Sequence, residues 1–266
     1  MTLKYILFDL DGTLTESGPG IKNGVRYALE SVGIVEENDA VLETFIGPPL
    51  VESFAREYGK SKEEGFRLQE VFREYYGKKG IYENEPYPGV RELLTRLQER
   101  GHILVLASSK PFDMAMKVLT HFDLREFFSI LVCGEDQGPL FTKAGVIAEA
   151  LRRCALLEFH SDKNESEKDL HEVQDELTKC DKKEENIDEE NDNRCEVKNS
   201  VTEQELEQIK KMSVMIGDRF YDTEGARTNG IPAIGAGWGY APEGELEATG
   251  VVKMCKDVAE LQAYLI

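Results

Sequence analysis

The sequence predicts an α/β fold with a buried parallel sheet and a separate, small all-α unit, and three observations carry that expectation. Short apolar runs recur along the chain, and each stops abruptly in polar or acidic residues, as strands buried on both faces do. Amphipathic stretches at helical spacing separate those runs. Between residues 16 and 86 the strand signal vanishes and only helical spacing is left.

The first run is Tyr5, Ile6, Leu7 and Phe8, ended by Asp9, Leu10, Asp11, Gly12 and Thr13. Ligands of open parallel sheets sit in the crevice at the carboxyl ends of the strands, so two carboxylates there mark a candidate site. So close together they would repel and one would keep its proton, unless a hard cation such as Mg2+ drew oxygen ligands from around both. Gly12 lets the chain turn away, and Thr13 offers a hydroxyl and an N–H. The plain alternative is a turn that only caps a helix.

DLDGT directly after an apolar strand resembles the first motif of the haloacid dehalogenase superfamily, most of whose members are Mg2+-dependent phosphohydrolases. The resemblance implies a nucleophile at Asp9, a general acid and base at Asp11, and three further motifs in order. In residues 16–86, Ile21, Val25, Ala28, Leu29 and Val32 recur at helical spacing, as do Phe66, Leu68, Val71, Phe72, Tyr75 and Tyr76. Their place after the first strand resembles the α-helical cap of one large branch of the superfamily, which closes over the site, excludes water and selects the leaving group. Phe45, Ile46, Gly47, Pro48, Pro49 and Leu50 form a rigid apolar turn that makes Gly47 a substrate-binding candidate. A helix simply started near proline is the alternative there. Tyr75 and Tyr76 read as cap core.

Pro88 and Gly89 break the chain, and Val90, Leu93, Leu94 and Leu97 then make an amphipathic helix closed by Gly101. Residues 103–107 form a second buried strand ending in Ser108, Ser109 and Lys110. Serines after a strand are ordinary helix N-caps. In the superfamily's second motif, however, such a hydroxyl holds a phosphoryl oxygen, which the resemblance assigns to Ser108, with Ser109 and Lys110 as substrate-binding candidates and Thr13 beside them. A helix over 112–122 and a strand over 130–133 follow. Lys143 opens the helical stretch KAGVIAEALRRC, where the dipole repels a cation, so it needs an anionic partner. The resemblance supplies one, as the third motif's lysine neutralises the nucleophile and the phosphoryl group, although many relatives carry proline where Ala144 stands. GDRFYD after a strand over 212–216 resembles the fourth motif. It makes Asp218 a Mg2+ ligand with Asp9 and the carbonyl of Asp11, and sets Asp222 on the metal's waters or on Lys143. Two helix-capping aspartates are the alternative. A strand over 233–235 leads to Trp238, Gly239 and Tyr240, and the tail closes in a helix.

At 266 residues and 41% hydrophobic, the chain can bury a substantial core. A net charge of −19 opposes nonspecific binding to nucleic acid or anionic membrane, so an anion site must be made locally. No apolar stretch nears the roughly 18 residues of a membrane span. Nothing at the N-terminus reads as a signal, and five cysteines without CxxC spacing fit reduced thiols, so the expected location is the cytoplasm. Residues 158–200 are anomalous: 16 Asp or Glu stand against 7 Lys or Arg, which accounts for −9 of the −19. With few apolar residues they read as a disordered or weakly helical surface insertion with no assigned protein partner. Irregular spacing argues against a zinc site on its His160, His171, Cys180 and Cys195.

Taken together, the motifs imply a doubly wound α/β core, residues 1–15 and 87–266, with a helical cap, residues 16–86, that hydrolyses a small-molecule phosphate monoester with Mg2+. Asp9 attacks phosphorus, Asp11 protonates the leaving oxygen and later activates water, and Lys143 and Ser108 hold the equatorial oxygens. Asp11 is needless for halide loss, which disfavours dehalogenation. The cap placement and NGIPAIGAGWGY resemble the phosphoglycolate phosphatase-like group, which also includes nucleotidases and pyrophosphatases. A mutase and a catalytically silent phospholigand-binding module are the rival readings.

Overall fold

Four consecutive apolar side chains can all be satisfied only in a strand covered on both faces. In the computed structural model, which describes residues 3–160 and 200–266, Tyr5–Phe8 (β1) is such a strand, with no exposed surface. It lies inside a sheet with Ile103–Pro111 (β2), Ile130–Gly134 (β3), Ser213–Gly217 (β4), Ala233–Ala236 (β5) and Lys253–Cys255 (β6), in the order β3-β2-β1-β4-β5-β6. Every pairing is parallel. The chain steps outward from β1 through β2 to β3, then returns to the other side of β1 at β4. That reversal opens a crevice at the strands' carboxyl ends. Phe8 pairs in register with Leu106 and Ile216, so Asp9, Ser108 and Asp218 stand within two residues of one level.

Between β1 and the next helix stand Gly18–Glu30 (α1), Asp39–Glu43 (α2), Leu50–Tyr58 (α3) and Lys62–Tyr76 (α4), then a 3-10 turn at Gly80–Tyr82. Helix α4 packs on both α1 and α3. Ser61 and Glu64 cap its start reciprocally. The two crossings into this helical stretch lie side by side: Thr15 bridges to Pro86, the Glu16 N–H donates to the Glu85 carbonyl (2.7 Å), and the Tyr87 N–H donates to the Leu14 carbonyl (3.0 Å).

Alternation along the strands sorts the rest into two cores. Ile6, Phe8, Leu104, Leu106, Val214 and Ile216 face Val90–Glu99 (α5), Phe112–His121 (α6) and, at the chain's end, Val258–Leu265. Tyr5, Leu7, Val105, Ala107 and Met215 face Lys143–Ala155 (α7), Glu203–Lys211 (α8) and Phe220–Thr228 (α9). Counting the short helix Glu245–Ala248 as α10, the helix at the chain's end is α11. Leu94 is fully buried in the first core. Leu94→Ala is expected to lower the unfolding free energy by about 2–5 kcal/mol, read as a shift of the denaturant midpoint at unchanged slope.

Two elements differ from expectation. Strand β2 runs on to Pro111 instead of ending at residue 107, because Ser108 still pairs with Cys133 and Pro111 with Gly134. The two residues between them, Ser109 and Lys110, form a bulge against a single step of β3. Strand β6, only three residues long, carries no periodic signal and was not anticipated. Apart from its ends, the acidic insertion expected over 158–200 lies outside the described residues.

Candidate active site

The polar strand ends meet in one place. Asp9 leaves β1 with its N–H on the Ile216 carbonyl (3.0 Å), which fixes the exit against β4. Lys143 is the first residue of α7, whose N-cap is Thr142 accepting the Gly145 N–H. Its buried Nζ donates to Asp9 Oδ1 (2.7 Å) and the Ala107 carbonyl (3.0 Å) and pairs with Asp222 Oδ1 (2.9 Å). Asp222 also accepts the Arg219 N–H at Oδ2 (3.0 Å), closing the first turn of α9. Asp218 has no exposed surface; it accepts from the Thr13 hydroxyl (3.1 Å) and the Tyr240 N–H (2.8 Å). Asp9, Asp218 and Asp222 each offer an oxygen within 4.8 Å of the other two.

Asp9 and Asp222 therefore share the Lys143 ammonium, and Asp218 stands beside them with only neutral donors, so the buried cluster holds more carboxylates than cations. Burial raises Asp9 to about 6 against the pull of Lys143, and the Asp222 and Asp11 charges add to the rise. Burial, then the charges of Asp222 and Asp9, hold Asp218 well above the usual carboxylate range. Burial works against the Lys143 ammonium, but Asp222 and Asp9 outweigh it and keep Lys143 above the ordinary lysine value. The donor set fits a divalent cation: hard oxygens only, from carboxylates that outnumber the ammonium beside them and that a cation would hold ionised. Bare backbone keeps the cradle clear. Gly12 sits at φ +84°, and a Cβ there would lie 2.2 Å from Asp218 Oδ2; one on Gly239 would lie 2.5 Å from the same oxygen.

Asp11 does not put its side chain into this cluster. Both its oxygens accept from Lys110 Nζ (3.0 and 2.8 Å), which also donates to the Tyr76 hydroxyl (2.7 Å) of α4. Ser108 and Ser109 line the same cavity, with Ser108 Oγ accepting the Lys110 N–H (3.3 Å). Gly47 lies on the opposite wall at φ +101°, beside Arg219, whose guanidinium donates to the Ile46 carbonyl. Thr13, a substrate-binding candidate by sequence, needs correction: it is 1% exposed and off the cavity wall, because its hydroxyl is spent on Asp218. Tyr76 is core, as read, but its hydroxyl also reaches the site. Sequence reasoning missed the Tyr240 N–H on Asp218, and the link from α4 to the loop after β3, where Arg73 (2.6 and 2.8 Å) and Gln69 (3.0 Å) donate to Asp136. No local pattern announces either, since both join residues far apart in the chain. Of the four zinc candidates only His160 is described, and it faces Glu205 at 3.2 Å.

Residues 6–159 match the family described as haloacid dehalogenase-like hydrolase. The chain is 32% identical to a 5'-nucleotidase of Pseudomonas aeruginosa, over 99% of this chain and 96% of that one. It is 26% identical to the tyrosine-protein kinase PtkA of Mycobacterium tuberculosis, over 98% and 72%. It is also 30% identical to a phosphoglycolate phosphatase of Yersinia pestis, over 50% and 60%. Among solved structures, a predicted phosphatase from Clostridium acetobutylicum superposes with a TM-score of 0.74 at 30% identity, covering 100% and 99% of the two chains. The chain belongs to the haloacid dehalogenase-like hydrolases. Within that family it is a phosphatase, an enzyme of the phosphoric monoester hydrolase class.

Proposed function

We propose that this enzyme cleaves a small-molecule phosphate monoester with Mg2+, by way of a phosphoryl group carried on Asp9. The observation that carries the reading is the convergence of three buried carboxylates, two of them paired with Lys143, at the switch point of the sheet. Asp9, Asp218 and Asp222, with the Asp11 carbonyl, would hold the ion. When bound, Mg2+ supplies charge neutralisation for the phosphoryl oxygens and the nucleophile.

The chain's own groups do the rest. Lys143 fixes the Asp9 carboxylate by its 2.7 Å hydrogen bond and keeps it ionised for attack on phosphorus. Lys110 has three N–H donors, and all three are committed to Asp11 and Tyr76. An incoming phosphoryl group competes for that ammonium, and with Lys110 turned to the new anion Asp11 takes up a proton from solvent and passes it to the leaving oxygen. The same carboxylate then takes a proton from water as the Asp9 phosphoester is hydrolysed. Ser108, on β2 just before the bulge, offers its hydroxyl to an equatorial oxygen.

Residues 16–86 act as a cap over a core of residues 1–15 and 87–266, hinged at the paired crossings beside Thr15 and Pro86 and held down by Arg73 and Gln69 on Asp136. Closure excludes water from the reacting centre. The relatives divide on the leaving group, since phosphoglycolate phosphatases and a 5'-nucleotidase both stand among them. The test of the shared step is hydrolysis of a generic aryl phosphate. Activity should vanish with a chelator, return with Mg2+, and be at least about a hundredfold lower in Asp218→Asn. Turnover that is indifferent to chelation contradicts the proposal.

A further inference from the structure

We propose that the leaving group of the substrate is uncharged and carries a planar ring, so that the substrate class is nucleoside monophosphates rather than small phosphorylated acids; this rests on the phosphatase reading above. The cavity over Asp9 measures about 510 Å³. That is a volume at which pockets bury drug-sized ligands, far more than a two-carbon acid fills. Beyond the polar floor the walls are apolar and largely aromatic: Leu50 of α3, Phe66, Phe72 and Tyr76 of α4, Met114 of α6, and Phe141. Phe72 and Tyr76 stack on each other, with planes 13° apart and centroids 5.1 Å apart, and are nearly buried, so they make a rigid apolar backing. Phe66 is half-buried and Phe141 is 40% exposed, so both line the cavity and keep surface that a third ring can meet.

Charge points the same way. A phosphorylated acid brings a second anion, which needs a cation of its own. On the cavity wall Lys143 is taken by Asp9 and Asp222, Lys110 by Asp11 and then by the phosphoryl group itself, Arg73 by Asp136, and Arg219 by Glu245. Lys62, at the rim, rests over the Phe66 ring with its Nζ 5.9 Å from the centroid. The wall also carries Glu52 and Glu135, so a second anion meets repulsion where a neutral ring meets stacking partners.

Ribose 5-phosphate and a nucleoside 5'-monophosphate share the scissile bond and differ by the base, which isolates the ring's contribution. The test measures kcat/KM with Mg2+ for both and for phosphoglycolate, in the unaltered protein and in Phe66→Ala, Phe141→Ala and Lys62→Ala. The nucleotide is expected to exceed ribose 5-phosphate and phosphoglycolate at least about tenfold, and each phenylalanine variant to narrow the nucleotide's lead at least about fivefold, through KM. Phe141 is exposed enough that its variant folds if Phe66→Ala does not. Ribose 5-phosphate hydrolysed as well as the nucleotide overturns this inference alone, as does phosphoglycolate preferred over both and lost in Lys62→Ala. Hydrolysis of none of the three while the aryl phosphate is still cleaved with Mg2+ overturns this inference alone; loss of aryl phosphate cleavage as well overturns the phosphatase reading and this one with it.

Discussion

Asp9→Asn is expected to lower kcat for every phosphate ester at least about a thousandfold while leaving the folded protein as stable as before or more so. The first effect follows from chemistry, since an amide in place of the carboxylate cannot take up the phosphoryl group. The second follows from the electrostatics of the site. A carboxyl raised to about 6 in the folded state, against 3.8, is disfavoured as an anion there. Its contribution to stability is therefore present below the unfolded value, declines as pH rises through the window from about 4 to about 6, and stays lost above it. Asparagine fills the same space without the charge, and removes an unfavourable term of up to about 3 kcal/mol at neutral pH in metal-free protein. Loss of turnover together with a retained or raised melting temperature separates a chemical role from a structural one. Falling stability would mean that Asp9 serves mainly to hold Lys143.

Lys143→Met should act in the opposite sense on stability and the same sense on activity. Methionine approximates the stem of the lysine but strips from Asp9 and Asp222, both nearly inaccessible to water, the one ammonium that pairs with them among the described residues. Removing one partner from a buried ion pair costs about 3–5 kcal/mol, because the remaining charges stay unmatched. With three carboxylates left facing one another, the metal-free variant is expected to unfold at markedly lower denaturant concentration, and added Mg2+ to recover part of the loss. Turnover should fall at least about a hundredfold, since the developing phosphoryl charge loses a fixed neighbour. A variant as stable and as active as the parent would mean that the lysine is a bystander.

The site was legible where a residue's place is set by its immediate neighbours in the chain. Asp9 and Asp218 each end an apolar strand, and Lys143 opens a helix against the dipole, so their roles can be argued from a dozen residues apiece. Legibility failed where two distant segments decide. Ser108 to Pro111 looks like a strand end followed by helix caps, yet Cys133 and Gly134 of β3 extend the ladder and force a bulge that turns Lys110 toward Asp11. Thr13 has a hydroxyl that could donate a hydrogen bond to a phosphate, but a glycine-lined turn brings Asp218 against it first. Tyr76 sits on the apolar stripe of α4 and reads correctly as core, while nothing near it in sequence hints that its hydroxyl meets Lys110. The floor of the site is thus written locally, and its roof only in the packing of the helices over it.

The most direct test of the account is to catch the phosphoryl group on its carrier. Enzyme mixed with excess substrate and Mg2+ is quenched with borohydride, which reduces an acyl phosphate to the alcohol, and the peptide containing Asp9 is weighed. The account predicts homoserine at position 9 in a fraction that rises with substrate and is absent without it. An intact aspartate at position 9 under full turnover, or a phosphoryl group trapped on another side chain, would contradict it.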